Sequence, residues 1–177
     1  MKSDGSMDAK STARIFGLFE QVYFDEKTVL VFNSKNGMFC KAVEELGSLF
    51  CCAVDVMFDT NFNVNVPDVT KIRTRSLCLS KHFDIAMIEP SIFRKDSCET
   101  DWIDCALKCS KEVFIVTKNS EVATKYNTVL LGEVDLTVVK STKYQTGRSN
   151  LVTYQIIKIL NPTIYWHLSY YFTQVFL

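Results

Sequence analysis

Short apolar runs alternate with amphipathic stretches along most of the chain. The runs TVLVFN, FCCAVDVMF, FDIAMIEP and KEVFIVTKN predict strands of the kind that are buried on both faces of a parallel sheet. A shorter run, RSLCLS, predicts a further strand, and the stretch 59–74 around Pro67 has the composition of a loop. Strands that alternate with helices predict an α/β fold whose mostly parallel sheet carries helices on both faces.

The amphipathic stretches predict four helices. The first is STARIFGLFEQVYF, with Ser11 as its N-cap, and the second follows a turn at Asn36 and Gly37 and ends at Gly47. The third is TDWIDCALKCS, and the fourth is SEVATKYNTVLL, which Gly132 closes. The apolar residues of the first three helices recur at the spacing of three and four that marks a buried helical face.

The C-terminal part changes from helical to alternating periodicity. EVDLTVVKSTKY and LVTYQIIKIL alternate as two strands on either side of the turn QTGRSN, which predicts an antiparallel hairpin at the end of the sheet. The polar residues 1–10 are expected to be disordered, and residues 11–177 are expected to form a single domain.

Composition places the chain among globular proteins, since 47% of its residues are apolar and 23% are charged. No apolar run reaches the roughly 18–20 residues of a membrane span, and the polar N-terminus lacks the apolar core of a secretory signal. The seven cysteines are odd in number and lie in apolar segments, as reduced core residues of cytosolic or nuclear proteins do. The sequence therefore predicts a protein that is not secreted and has no membrane partner.

Positive charge is concentrated at the C-terminal end of a chain whose formal net charge is zero. Four cations and no acid follow Asp135, so the last part has a formal charge of +4 and the first part −4. The region around the hairpin tip contains Lys140, Lys143, Tyr144 and Arg148. Lys158 lies on the returning strand. Basic side chains interleaved with tyrosines suit RNA phosphates and bases, although the same pattern is common on a solvated strand face.

The turn NSKNGM, between the first predicted strand and the second helix, is a candidate cofactor site. In α/β domains of this kind, glycines in this turn let the backbone approach a cofactor closely. Here Asn33, Ser34 and Lys35 stand beside a single glycine, Gly37. The turn is therefore either a retained site, a lost site or an ordinary connection between strand and helix.

Acidic residues lie at the ends of two predicted strands. Asp55 lies within the second strand and Asp59 just beyond it, where an acid would hold the ribose hydroxyls of a cofactor. Glu89 ends the strand FDIAMIEP, either as a general base for a ring nitrogen or as a carboxylate that caps the following loop. The pattern assigns no catalytic residue.

Cysteine and histidine spacing gives no metal motif. Cys105 and Cys109 share a helical face and Cys98 is near them, but structural zinc requires four ligands in paired short spacings. His82 and His167 complete no such pattern, so no metal is expected.

Three segments resemble the non-catalytic subunit of the eukaryotic tRNA (adenine-58, N1) methyltransferase, in shortened form. LFEQVYFDEKTVLVF resembles the helix and first strand of its methyltransferase-like domain, and NGMFCKAVEELG resembles its altered cofactor turn and the following helix. DLTVVKSTKYQTGRSN resembles the segment with a Tyr–Gln pair and an Arg-containing turn, matched here by Tyr144, Gln145 and Arg148. The family's N-terminal β-domain and its glycine-rich segment before the last strand have no counterpart.

The resemblance implies a Rossmann-like class I S-adenosylmethionine-dependent methyltransferase fold and a non-catalytic, tRNA-binding and scaffolding role. It implies a nuclear heterotetramer in which a catalytic tRNA methyltransferase subunit carries S-adenosylmethionine and this chain binds no cofactor. The turn with Asn33, Ser34 and Gly37 is then vestigial. The implied tRNA contacts are Lys140, Lys143, Tyr144 and Arg148. Two alternatives stay open: a small active methyltransferase that holds S-adenosylmethionine near Gly37, and an α/β dimerisation protein without RNA.

Overall fold

The computed structural model describes residues 7–58, 62, 66–74, 82–90, 98–139 and 149–160. These residues form four helices and seven strands. The helices are α1 (Ala9–Phe16), α2 (Met38–Glu45), α3 (Cys98–Cys109) and α4 (Glu121–Lys125). The strands are β1 (Thr28–Phe32), β2 (Phe50–Asp55), β3 (Thr70–Arg73), β4 (Phe83–Ile88), β5 (Ser110–Thr117), β6 (Thr128–Val139) and β7 (Ser149–Ile159).

The strands form one sheet in the order β3-β2-β1-β4-β5-β7-β6. The first five strands of this order are parallel to one another, and β7 pairs antiparallel with both β5 and β6. The predicted α/β fold, with a mostly parallel sheet and a C-terminal antiparallel hairpin, is confirmed.

Two apolar layers enclose the sheet. Val29 and Val31 of β1 belong to the cluster that includes residues of α1 and α2. Leu30 and Phe32 belong to the opposite cluster, which includes Trp102 of α3. These four consecutive side chains are fully buried, which explains why the strand contains a continuous apolar run instead of an alternating pattern.

Two strands lie where the pattern predicts other structure. Residues 128–131 belong to β6 instead of a helix, because Val129 and Leu130 pair with Lys158 and Ile157 of β7. Sheet pairing outweighs the helix propensity of the leucines there, and Gly132 lies within β6 beside a register shift. Thr70–Arg73 pairs in parallel with β2 as β3, although it contains only one apolar residue. The strand predicted at RSLCLS lies outside the described residues.

The first helix begins and ends earlier than predicted. Asp8, not Ser11, is the N-cap of α1, because the Asp8 side chain accepts a hydrogen bond of 2.8 Å from the Ser11 N–H. The helix ends at Phe16, and Gly17 caps it. Met7, within the segment expected to be disordered, is only 3% exposed and belongs to the core.

A carboxylate joins three strands at the end of the sheet where the parallel strands begin. Asp84 of β4 accepts hydrogen bonds from the Thr28 N–H at 3.0 Å, from the Thr28 hydroxyl at 2.8 Å and from Lys111 Nζ at 2.7 Å. The Lys111 ammonium group contributes most, followed by Thr28, to holding the pKa of Asp84 well below its usual range. The start of β4 is thereby linked to the starts of β1 and β5.

Asp84→Asn should lower the free energy of unfolding at pH 7 by about 1 kcal/mol, because the hydrogen bonds lose their charge. The pKa of Asp84 is lower in the folded chain than in the unfolded chain. The loss should therefore be complete above about pH 4 and should shrink as the pH falls toward the folded pKa. Urea unfolding followed by tryptophan fluorescence measures both effects.

The matched control is Glu45→Gln, which removes an exposed carboxylate 4.0 Å from Lys41 on α2. This change should alter the free energy of unfolding by less than about 0.5 kcal/mol. Equal losses in the two variants would contradict a special role of Asp84.

Candidate functional site

The candidate site lies where the carboxyl ends of β1, β2 and β4 meet. The chain leaves β1 toward β2 on one side, while β4 lies on the other side of β1, so the strand order reverses at this point. Open α/β sheets bind their ligands in the crevice that such a reversal creates. The turn of residues 33–37 follows β1, Asp55 ends β2 and Glu89 follows β4.

Asn33 connects the three strand ends. Its backbone has φ of 60°, the left-handed region that glycine and asparagine tolerate best. Its N–H donates to the carbonyl of Val54 at 2.8 Å, and its side-chain Nδ2 donates to the carbonyl of Glu89 at 2.9 Å. Asn33 therefore keeps a glycine-like turn and adds a link that glycine could not make.

Ser34 faces the interior of the protein. It is fully buried, and its Oγ lies 3.1 Å from Sγ of Cys40 in α2. The hydroxyl is therefore engaged by the helix instead of being offered to an open cleft.

Gly37 is the N-cap of α2 and has φ of 78°. A Cβ atom on Gly37 would lie 2.5 Å from Cγ2 of Val66 and 3.2 Å from two ring carbons of Phe62. Both of these side chains are buried. In a glycine-rich cofactor turn the ligand approaches the open side of the glycine, and here two side chains of the same chain fill that side.

Glu89 is a buried carboxyl group. Its side chain is 2% exposed, and burial, followed by the proximity of Cys40 and Asp55, raises its pKa well above the usual range. The Met7 N–H and Lys35 oppose this shift without reversing it. Among the described residues, Glu89 Oε2 has no hydrogen-bond partner.

Met7 lies across the strand ends. Its carbonyl accepts a hydrogen bond of 2.7 Å from Nδ2 of Asn36, and its N–H hydrogen-bonds to the Glu89 carboxyl group. The other end of the Asn36 amide, Oδ1, accepts from the Met38 N–H at 3.2 Å at the start of α2. Sequence reasoning missed Met7 because a single apolar residue in a polar terminus gives no periodic signal.

Asp55, the last residue of β2, is 3% exposed. Its Oδ1 accepts from the Met57 N–H at 2.9 Å, and the carboxylate is close enough to Glu89 to contribute to the raised pKa there. The structure thus brings Asp55 together with Glu89. Asp59, the second candidate ribose acid, lies outside the described residues.

The predicted basic patch lies largely outside the described residues, because these exclude Lys140, Lys143, Tyr144 and Arg148. Lys158 is described, and it does not belong to the hairpin tip. It pairs with Val129 near the start of β6, forms an ion pair with Glu112 and lies over the Phe114 ring at 5.6 Å. The prediction that Lys158 lies on the returning strand is confirmed, since it belongs to β7.

The cysteines of α3 give no metal centre among the described residues. Sγ of Cys109 donates to the Cys105 carbonyl at 3.0 Å, and burial raises the pKa of the Cys109 thiol to about 11. In the part of the chain that the structure describes, no three His, Cys, Asp or Glu side chains converge as metal ligands. No helix within these ranges is long and apolar enough to cross a membrane.

No protein-family model matches the chain, and no curated protein matches its sequence. Solved structures do match its fold. A Thermoplasma acidophilum protein has a TM-score of 0.67 at 15% identity, with 88% of this chain and 90% of that chain covered. A provisionally assigned RNA methyltransferase of Pyrococcus horikoshii has a TM-score of 0.66 at 14% identity, with 86% of this chain and 84% of that chain covered. A ribosomal protein L11 methylase of Lactobacillus delbrueckii subsp. bulgaricus has a TM-score of 0.60 at 14% identity, with 87% of this chain and 80% of that chain covered.

These likenesses show that the chain has the Rossmann-like fold of class I S-adenosylmethionine-dependent methyltransferases. At such low identity they show the fold alone. Of these three structures, two have named activities: one is provisionally assigned as an RNA methyltransferase and the other is a ribosomal protein L11 methylase, so the fold does not select a substrate.

Glu89→Gln should stabilise the protein at pH 8 by about 1 to 3 kcal/mol. The pKa of Glu89 is raised in the folded chain, so the unfolded chain loses this proton at lower pH. Stability therefore falls as the pH rises from about 4.5 toward the folded pKa, and glutamine removes this fall. Urea unfolding at pH 4.5 and pH 8 should show a gain only at the higher pH, whereas Glu121→Gln, an exposed control, should show none.

Gly37→Ala should lower the free energy of unfolding by about 2 kcal/mol or more, since a positive φ and the contact with Val66 both disfavour a Cβ atom. Gly17→Ala is the control. Gly17 has a φ of −65°, and a Cβ atom there would lie 3.3 Å from the Ala13 carbonyl oxygen, so the free energy of unfolding should fall by about 1 kcal/mol or less.

Val66→Ala should lower the free energy of unfolding by less in the Gly37→Ala background than in the native chain. Additive losses in urea unfolding would contradict the packing of Val66 on the turn.

Proposed function

We propose that this chain is a non-catalytic, methyltransferase-like subunit that supports a catalytic tRNA (adenine-58, N1) methyltransferase and binds no S-adenosylmethionine itself. One observation carries the proposal: residues of the chain itself fill the cofactor turn. The main chain of Met7 lies between Asn36 and Glu89, and Phe62 and Val66 pack on the open side of Gly37. A ligand at the turn would have to displace all three.

The state of the strand-end acid supports a role without catalysis. A general base must reach the proton that it removes, and it must be ionised to accept that proton. Glu89 is buried, its raised pKa favours the protonated form, and the Met7 N–H hydrogen-bonds to its carboxyl group. Glu89 is therefore better suited to holding the fold together than to acting on a substrate.

The positive C-terminal end supports an RNA partner. Because Lys158 is held by Glu112, the cations left for RNA are Lys140, Lys143 and Arg148. A local cluster of cations is sufficient to bind phosphates even when the net charge of the chain is zero. We place the complex, with its tRNA and its catalytic partner subunit, in the nucleus or cytoplasm.

A small active methyltransferase is the second candidate. Gly37 is retained with a positive φ at the start of α2, and Asp55 and Glu89 remain at the strand ends where a cofactor and a substrate would meet. This candidate requires the Met7 segment and the Phe62–Val66 packing to move before cofactor binding.

Labelled S-adenosylmethionine distinguishes the two functions. Equilibrium dialysis should give no saturable binding to this chain below about 1 mM cofactor. Methyl transfer to tRNA should require a mixture with the co-expressed catalytic subunit, and neither chain alone should be fully active. Stoichiometric cofactor binding or methyl transfer by this chain alone would overturn the scaffold function in favour of the enzyme.

Changing Lys140, Lys143 and Arg148 together to Ala should weaken tRNA binding by the complex at low salt. The slope of log K against log salt concentration should fall by about 2 to 3, since each lost phosphate contact releases about one counterion fewer. The charge-matched control changes the exposed residues Lys27, Lys108 and Lys118 to Ala and should leave the slope nearly unchanged. Equal slopes in both variants would contradict the patch.

A further inference from the structure

We propose that β6 docks against β6 of a second copy of this chain, so that two copies form a dimer through one continuous sheet. The docking segment is residues 128–134, named the β6 edge. The two copies of this edge run antiparallel about a twofold axis, so the same surface serves both sides of the contact. The inference goes beyond the proposed function, because it requires neither RNA nor the catalytic subunit.

The two edges of the sheet carry different kinds of side chain. β3 forms one edge, where the exposed residues Lys71 and Arg73 provide charges that discourage pairing with another strand. β6 forms the other edge and pairs only with β7 among the described strands. Residues 126–132 include no charged residue, and Val129, Leu130 and Leu131 are 45%, 54% and 39% exposed. This part of β6 therefore lacks the charges that would keep a second strand away.

The exposed apolar side chains of the β6 edge lie on both faces of the sheet. Val129 pairs with Lys158, whose Nζ lies over the Phe114 ring on the face of α1 and α2. Leu130 pairs with Ile157, which belongs to the apolar layer on the opposite face. A partner that lay against one face would leave the other face exposed. A strand placed beside β6 covers both, which favours edge pairing over face packing.

A register shift in β6 limits how two copies can pair. The pairing with β7 passes from Leu130 to Gly132 without Leu131, so the alternation of side chains changes phase there. Leu130 and Glu133 consequently share the face of α3, whereas Gly132 lies on the face of α1. Opposed residues of two antiparallel strands share a face, which excludes most registers of this edge with itself.

One allowed register opposes apolar residues at its centre and polar residues at its ends: Leu130 with Leu131, Val129 with Gly132 and Thr128 with Glu133. The Thr128 hydroxyl can donate a hydrogen bond to the Glu133 carboxylate of the second copy. Val129 of the second copy would lie beside Leu18, since Leu18 Cδ1 is 2.9 Å from where a Cβ atom of Gly132 would be. Each end and the centre of the contact therefore have a suitable partner.

Charge disfavours the other registers. A shift of the two copies by two residues opposes Leu130 with the Glu133 carboxylate, and a centre at Val134 opposes Glu133 with Asp135, which have like charges. The Asp135 carbonyl also already accepts a hydrogen bond of 3.1 Å from Nη1 of Arg14, so α1 contacts the strand at that point. The pairing is therefore centred between Leu130 and Leu131.

Sedimentation velocity of the full chain tests the dimer between about 1 and 100 µM, because a contact along one short edge is expected to be weak. We expect a dimer whose population rises with concentration. Leu130→Lys should raise its dissociation constant by about tenfold or more, since it places a charge at the centre of the contact. Leu49→Lys, an exposed position before β2, is the control and should leave the dissociation constant unchanged.

Two substitutions of Thr128 test the register. At low salt, Thr128→Glu places a carboxylate opposite Glu133 and should raise the dissociation constant by about threefold or more, whereas Thr128→Lys should not raise it. Circular dichroism verifies the fold of each variant. A full chain that stays monomeric, or a dimer that folded Leu130→Lys does not weaken, would overturn the β6 edge as the docking surface. Equal effects of Glu and Lys at position 128 would overturn the register.

Discussion

The structure depends on the connection that Asn33 makes across three strand ends. Its N–H and its side-chain amide bond to the carbonyls of Val54 and Glu89, and the Glu89 N–H returns a bond of 3.0 Å to Phe32. These bonds fix β1 between β2 and β4 and set the direction in which the chain enters α2. The left-handed backbone of Asn33 costs some free energy, which its two hydrogen bonds offset.

The two ends of β4 carry acids whose pKa values are shifted in opposite directions. Asp84 near its start accepts three hydrogen bonds from Thr28 and Lys111, so its pKa is lowered and it stays charged. Glu89 just beyond its end is buried, with Cys40 and another acid, Asp55, nearby, so its pKa is raised and its charged form is disfavoured. A carboxyl group therefore links three strands through charged hydrogen bonds at one end of the sheet, whereas at the other end burial disfavours the charged form of a carboxyl group.

The sequence predicted those parts of the fold that repeat with a regular period. The buried runs of β1, β4 and β5 and the amphipathic faces of α2 and α3 were all recognisable, because burial on one or two faces leaves a local pattern. Met7 and Val66 were not recognisable, since their positions depend on contacts with distant residues, and Val129 joined β6 because of its pairing with β7. The turn residues were identified, but what fills the turn was not.

A methyltransferase fold without an accessible cofactor turn must fill the space that the cofactor would occupy. A glycine with positive φ beside a void loses van der Waals contacts, and a buried acid without a donor loses hydrogen bonding. Phe62 and Val66 supply the contacts at Gly37, and Met7 supplies one donor at Glu89. If the chain has the proposed function, these three residues stabilise the fold in the absence of a ligand. Among the described residues, Oε2 of Glu89 has no hydrogen-bond partner, so this replacement leaves that hydrogen bond unmade there.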